Sequence, residues 1–407
     1  MASLDNCGIG KGWRLQNNIK VILIGCVLLF MLQQSQPTMA TTPIVVTGTL
    51  EQKWCLGGES DNHVVGLIID AVGDDEGNIY LLDYRFQVVF VISPEGDLVR
   101  TIGGLGDGPG ETRSASRLFS KNDGKIGIVD MRTSKISWLS TLGIPLSTTS
   151  LRLNSDGSGV LALYDARIYD GGYVAAFMRQ NPNKNGARIQ IALAQILDEG
   201  PEAKIIFTAP DKMISRRGPI DSEVDSYNFV HNCWDVSANG EVFIAPDRDS
   251  NSIEVFSNNG KSHAGFNVAC ERSERTRFEK QKVIEAFGAG DRKFKVADFD
   301  PFFSHVWCDE NGQVWTCSPG REKQENSTTY LQYDVFTSLG DHQYRIDIES
   351  PRGNTFSPST ASLFIIDSSR VVIIEKEGAG NTWNSDCQLQ GESEFVIGCY
   401  ELKFERP

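Results

Sequence analysis

Beyond residue 60 the apolar positions fall into short runs of about five residues, many β-branched, separated by tight polar turns. Residues 74–103 set the phrase. A turn at Asp75-Glu76-Gly77 leads into IYLLD, a polar corner at Tyr84 to Gln87, then VVFVI, a second turn at Ser93-Pro94-Glu95-Gly96, and LVRTI. No amphipathic helical period separates the runs, which predicts consecutive antiparallel strands and argues against a parallel α/β fold.

The phrase returns in residues 122–142, 237–266, 309–348 and 361–374. Tyr169-Asp170-Gly171-Gly172-Tyr173 turns LALYDARI into YVAAFMR. The turn centres fall near 77, 124, 171, 240, 312 and 368, at intervals from 47 to 72 residues. Six imperfect copies of a four-stranded unit predict an all-β fold, a six-bladed β-propeller of antiparallel blades. Such a ring buries blade faces against each other and leaves only short outer edges. A pair of β-sandwiches is the alternative. The segment IVVTGTLEQKW (44–54) precedes the first full unit and is expected to add a strand to the last blade, closing the ring. The charged insert 271–303 is expected to be a long loop between the fourth and fifth units, containing a helix.

One segment differs from the rest. Residues 21–32, VILIGCVLLFML, are continuously apolar and follow Lys11, Arg14 and Lys20. A run this short of the roughly 20 residues a span requires fits the core of a secretory signal peptide. Thr38-Met39-Ala40 supplies small residues for cleavage after Ala40. The expected division is residues 1–40 as signal peptide and 41–407 as propeller, in an extracytoplasmic location. A retained anchor, or a lipoprotein box at Leu23-Ile24-Gly25-Cys26, are the rivals, and only retention would make the membrane a partner.

Removing residues 1–40 takes three of the 39 basic and one of the 53 acidic residues, so the net charge moves from −14 to −16. That balance disfavours nucleic acid, which needs basic patches. Seven cysteines remain, Cys55, Cys233, Cys270, Cys308, Cys317, Cys387 and Cys399, with no C-x-x-C spacing. Most are expected as buried thiols. Cys387 and Cys399 lie where a hairpin near Gly391 would bring them together, whereas Cys308 and Cys317 flank a turn without facing each other.

The glycine-rich stretch GGLGDGPGET (103–112) raises the question of a nucleotide site. It lacks both the G-x-G-x-x-G spacing and a following helix, and no G-x-x-x-x-G-K-[ST] is present. The simpler reading is a crossing from one blade to the next, with glycines supplying positive φ and Glu111 bonding backbone amides. Together with the preceding ISPEGDLVRTI, this stretch resembles the bacterial exported six-bladed propellers related to NHL repeats. The resemblance covers residues 44–407 as an architecture and is specific only in the first two units. It implies a scaffold for protein or ligand binding, a few relatives being enzymes.

The candidate chemistry is sparse. Amidating lyases of similar architecture hold zinc with histidines from several blades. His231 and His305 stand at different offsets from their turn glycines, so that pattern does not carry over. Asp247-x-Asp249-x-Asn251 opens like a calcium loop, but Ser252 and Asn258 occupy the positions of its glycine and glutamate. Asp130, Asp298 and Asp300 are further candidates for an axial metal. Trp234, Trp307 and Trp315 lie on or beside the inner strands of units four and five, as packing or as a stacking platform for sugar or peptide. There is no G-x-S-x-G and no H-E-x-x-H. Asn326-Ser327-Thr328 matches a glycosylation sequon.

The function expected is binding of a protein or small ligand through loops at one face, those at 210–230, 271–303 and 318–328 being the variable ones. Ligand-binding candidates are His231, His305, Trp234, Trp307, Asp247 and Arg248. No catalytic residue and no cofactor are assigned. The alternative is a metal-dependent hydrolase or lyase at the channel mouth, with zinc or calcium as the metal.

Overall fold

The computed structural model describes residues 44–57, 65–121, 123–151, 160–180, 188–197, 203–210, 212–213, 222–258, 260–270, 272, 274–286, 294–317, 329–349, 361–376 and 395–406. All belong to one unit, Ile44–Pro407. Residues 1–40, expected as a signal peptide, the sequon pattern 326–328 and Cys387 lie outside the described residues.

The described chain is nearly all β. One four-stranded antiparallel sheet is β2 (Ile68–Gly73), β3 (Ile79–Asp83), β4 (Val88–Ile92) and β5 (Leu98–Gly103), in that order. The next repeats the order with β6 (Ala115–Lys121), β7 (Lys125–Asp130), β8 (Lys135–Ser140) and β9 (Pro145–Ser150). A five-stranded sheet holds β10 (Val160–Tyr169), β11 (Gly172–Gln180), β12 (Arg188–Leu197) and β13 (Ala203–Thr208), with the short β14 (Lys212–Met213) also on β12. Then come β15 (Trp234–Val236), β16 (Val242–Ile244), β17 (Ser252–Phe256) and β18 (Ser262–Asn267).

The remaining strands form one eight-stranded sheet. It joins β19 (His305–Cys308), β20 (Val314–Cys317), β21 (Thr329–Phe336) and β22 (His342–Glu349) to β23 (Ala361–Ile365), β24 (Arg370–Lys376) and β25 (Phe395–Lys403) through β1 (Ile44–Gly57). The expected pairing of the N-terminal segment is present: Thr49 to Gly57 run antiparallel to β25. Its first half adds something the hydrophobic pattern did not suggest. Ile44 to Gly48 run parallel to Tyr344–Ile348 of β22. At 14 residues β1 is more than twice the usual strand length of about five to six, and so reaches two neighbours in succession.

Middle strands read as unbroken apolar runs because both their faces are covered. IYLLD of β3 is buried at every position. The turns repeat one device. Asp74 Oδ1 accepts from the amides of Glu76 and Asn78, and Asp309 Oδ1 accepts from those of Asn311 and Gln313. The other oxygens hold a ring of the following strand, Tyr80 through its hydroxyl and Trp315 through its indole N–H.

The core lies between sheets. Leu82 and Ile102 pack with Leu118 and Ile126, Val129 and Trp138 with Phe177 and Ala194. Ile191 and Ile206 pack with Phe243 and Phe256, in a cluster that continues to Val306 and Phe336. Trp315 and Ile346 meet Leu402, and Trp54 and Ile374 return to Ile68 and Ile79 of the first sheet. The first strands adjoin in series, β23 with β2, then β6, β10, β15 and β19. This is a propeller-type arrangement. It does not have the two facing sheets of a sandwich pair.

The insert forms the helix Arg277–Ala286, as expected. The glycine loop crosses from β5 to β6, with positive φ at Gly103 and Gly110 only. A Cβ at Gly106 would displace the Glu111 carboxylate. That carboxylate accepts from the Gly108 amide at 2.8 Å. Among the described residues no helix is long and apolar enough to cross a membrane.

Candidate functional site

The inner strands carry charge into the line along which they meet. Asp70 stands on β2, Arg117 on β6, Asp165 and Arg167 on β10, Asp235 on β15 and His305 on β19. Arg117 lies 3.7 Å from Asp70 and 3.9 Å from Asp165, so one guanidinium bridges three sheets. It also donates to the His231 carbonyl and, at 3.4 Å, to Asn232 Oδ1. Arg167 pairs with Asp165 at 3.2 Å through both Nε and Nη2. Its guanidinium carbon sits 5.8 Å from the Trp234 ring centre.

The carboxylates are committed to the frame. Asp70 Oδ2 accepts from the Leu118 amide at 2.7 Å, and Asp235 Oδ2 from the Cys308 amide at 2.9 Å, each reaching into the next sheet. Asp235 Oδ1 takes its neighbour's amide at Val236, and Asp165 Oδ1 that of Ala166. Burial pushes Asp70 and Asp235 upward, against the opposing pull of Arg117 and Arg167 respectively. Burial also opposes the charge on Arg167, but Asp165, Asp235 and Asp70 outweigh it and hold the guanidinium protonated.

Both candidate histidines border this cluster. His231 ends a 3₁₀ turn, Phe229–His231, and is reachable by solvent, with the Tyr164 ring 6.2 Å away. Surrounding protein and the Arg117 charge push its imidazole down to about 4. His305 is half-buried, and burial followed by Arg117 and Arg167 pushes it too down to about 4. Val306 donates its amide to the Asn232 carbonyl at 2.8 Å, which ties β19 to the segment carrying His231. The Nδ1 of His305 lies 3.2 Å from Ser304 Oγ.

The other candidates stand elsewhere. Trp234 is fully buried and its indole N–H bonds the Val230 carbonyl at 2.9 Å. Trp307 meets Trp315 edge-on at 5.1 Å, in the apolar seam with Leu50 and Leu363. Arg248 is buried and paired with Glu223 at 2.9 Å and Asp249 at 2.8 Å. Glu223 also pairs with Arg275 at 2.6 Å, and Arg275 with Asp300 at 2.5 Å. This network clamps the turn Glu223–Ser226 and the insert to the sheet of β15–β18. Asp247 is exposed and accepts the Asp249 amide. Asp249 pairs with Arg248 and Arg272, and Asn251 donates to the Val268 carbonyl at 2.9 Å.

The three axial-metal candidates are not together. Asp130 is buried and accepts from the amides of Arg113, Arg132 and Thr133, fixing an inter-sheet loop. Asp298 pairs with Lys280. Among the described residues no three His, Cys, Asp or Glu side chains group to hold a metal ion.

Asp70, Arg117, Asp165, Arg167 and Asp235 escaped the sequence reading, although a signal exists. Asp70, Arg117 and His305 each lie seven positions before the turn glycine of their unit, at Gly77, Gly124 and Gly312. A common offset from a repeated turn places residues at one level of the inner strands.

No family model matches the chain, and no curated protein matches it. Solved structures with a similar backbone include a DUF4221 family member from Bacteroides vulgatus, at 12% identity, over 88% of this chain and 99% of that one, with a TM-score of 0.47. Others are a gluconolactonase from Xanthomonas campestris (12% identity, 90% and 99% covered, TM-score 0.42) and virginiamycin B lyase from Staphylococcus aureus (10% identity, 85% and 98% covered, TM-score 0.39). At such values they carry no functional argument. The class is defined by this chain's own strand order and packing: a propeller-type protein with a charged cluster where its inner strands meet.

Proposed function

We propose that the chain is an exported six-bladed β-propeller acting as a binding scaffold, with a small ligand received at the axial cluster. The count of six follows from taking the eight-stranded sheet as two blades bridged by β1. Six packed seams between consecutive strand groups support it. Export rests on the apolar segment 21–32.

The observation that carries the binding reading is the convergence of Arg117, Arg167, Asp70, Asp165 and Asp235 from four inner strands beside two histidines. Rigid strands hold such groups in place better than loops do. The hydrolase or lyase alternative requires several carboxylates or histidines aimed at one point. Here the three aspartates are engaged by arginines and backbone amides.

The test is a thermal-shift screen of fractionated extracellular metabolites against the wild type and Arg117→Gln. A fraction that raises the wild-type Tm and leaves the variant unmoved supports an axial site. A fraction that stabilises both alike would place binding elsewhere, on the loops.

A further inference from the structure

We infer that the axial cluster takes a compact monocarboxylate, gripped by Arg167 and Asn232 beside His305. This rests on the axial binding reading above and names its ligand class.

Remaining hydrogen-bonding capacity narrows the ligand. Each carboxylate on the acceptor side of the cluster is partly spent. Asp235 accepts two backbone amides, Asp165 one amide and the Arg167 fork, and Asp70 one amide with Arg117 beside it. The donor side has groups to spare. Arg167 uses Nε and Nη2 on Asp165, leaving Nη1, and its side chain keeps 33% of its surface exposed. Asn232 accepts from Arg117 through Oδ1 and keeps its Nδ2 donors, and the residue is exposed. The spare donors of Arg167 and Asn232 suit an oxyanion.

Charge narrows the class. Two guanidinia face three carboxylates, of which burial pushes Asp70 and Asp235 toward the neutral acid, so the cluster stands near charge balance in a chain of net charge −14. That surrounding tolerates one negative charge and penalises two, so a carboxylate fits better than a phosphate.

His305 supplies a reporter. The Ser304 hydroxyl bonds the Cys317 carbonyl at 3.2 Å, which uses its single hydrogen. The Nδ1 of His305 then donates to Ser304 Oγ, and Nε2 is left as an acceptor facing a cationic neighbourhood. A bound carboxylate offsets the guanidinium charges, so His305 takes up a proton more readily when the site is filled.

The experiment is an NMR titration of the full chain, its histidines labelled with carbon-13, using sodium acetate at constant ionic strength. His305 is assigned by His305→Gln. Inorganic phosphate and glucose are the comparison probes. The expected result is a saturable millimolar shift of the His305 resonances with acetate, with a rise of at least one unit in its titration midpoint. Phosphate should bind at least tenfold more weakly. The double variant Arg167→Gln/Asp165→Asn keeps the pair uncharged and should weaken acetate at least tenfold while leaving the folded spectrum intact.

No saturable shift with acetate overturns the assignment, as does an acetate shift unchanged in the double variant, or phosphate binding as tightly as acetate. If glucose moves His305 and acetate does not, the carboxylate assignment fails while an axial binding site stands. Failure of the axial reading itself is seen separately, as a screened ligand that stabilises wild type and Arg117→Gln alike.

Discussion

Asp70 on the first strand of one sheet accepts the Leu118 amide of the next at 2.7 Å, and nothing in local sequence joins these residues, 48 positions apart. Asp235 makes the same link to Cys308 at 2.9 Å. A side chain thus substitutes for the ladder bond that two inner strands of separate sheets do not make. Replacing Asp70 with leucine leaves the Leu118 amide without this partner and removes a charge beside Arg117. We expect a loss of about 1–3 kcal/mol, read as the urea midpoint at unchanged slope. An unshifted midpoint would mean that the link does not bear on stability.

Acid should weaken the fold through His305. Burial, with Arg117 and Arg167 beside it, pushes its imidazole down to about 4 in the folded chain, against about 6.5 unfolded. Between those values the unfolded chain binds more protons, so this contribution to stability is complete above the unfolded value and is lost as pH falls through the window to about 4. Allowing for partial solvent access, the loss is about 2 kcal/mol. Melting curves at intervals from pH 7 to 4 should be flatter for His305→Gln than for the wild type. Parallel curves would remove His305 from the account.

Ring closure depends on β1. Trp54 is 6% exposed and packs in the seam that joins the last strands to the first sheet, with its Cβ so close to Gly96 that no side chain fits there. Trp54→Ala should cost about 3–5 kcal/mol. It should also speed hydrogen exchange on both β22 and β25, because β1 pairs with each. Faster exchange on β25 alone would contradict the bridging role.

The glycine loop offers a test of its spacing. Gly106→Ala should destabilise by about 1 kcal/mol, because the Glu111 carboxylate must leave its bond to the Gly108 amide. In a Glu111→Ala background the same substitution should cost almost nothing, since the obstacle is gone. Additive effects in this cycle would show that backbone strain, not the carboxylate, fixes Gly106.

Glu223 neutralises two buried arginines, Arg248 and Arg275, at 2.9 and 2.6 Å. Glu223→Gln should cost about 3 kcal/mol and loosen residues 294–300, seen as faster amide exchange there than in β15–β18. Uniform exchange across both would mean that the network is not a local clamp.

IYLLD, VVFVI and the turns at Gly77, Gly124, Gly240 and Gly312 announce strands and hairpins in the chain, because short β-branched apolar runs and glycines of positive φ are local properties. The pairing of residues 44–54 with the last strands was also readable, since an unpaired leading strand in a ring has one edge left to fill. The helix in the insert 271–303 was readable from its composition.

The site is less legible. His231 and His305 stand out in the sequence as histidines and do border the axial cluster, whereas Arg117, Arg167 and the three aspartates at its centre carry no such mark. On their own strands they look like solvated charges. Trp234 reads from the sequence as packing or as a stacking platform, and protein covers it. Arg248, a ligand candidate in the sequence, is buried and paired with Glu223 and Asp249. Strands, turns and the repeated unit follow from neighbours within a few positions, and so are written locally in the chain. Which charges meet is settled by the packing of separate sheets, which brings Asp70, Arg117, Asp165 and His305 together, and no local rule specifies contacts between residues so far apart in the chain.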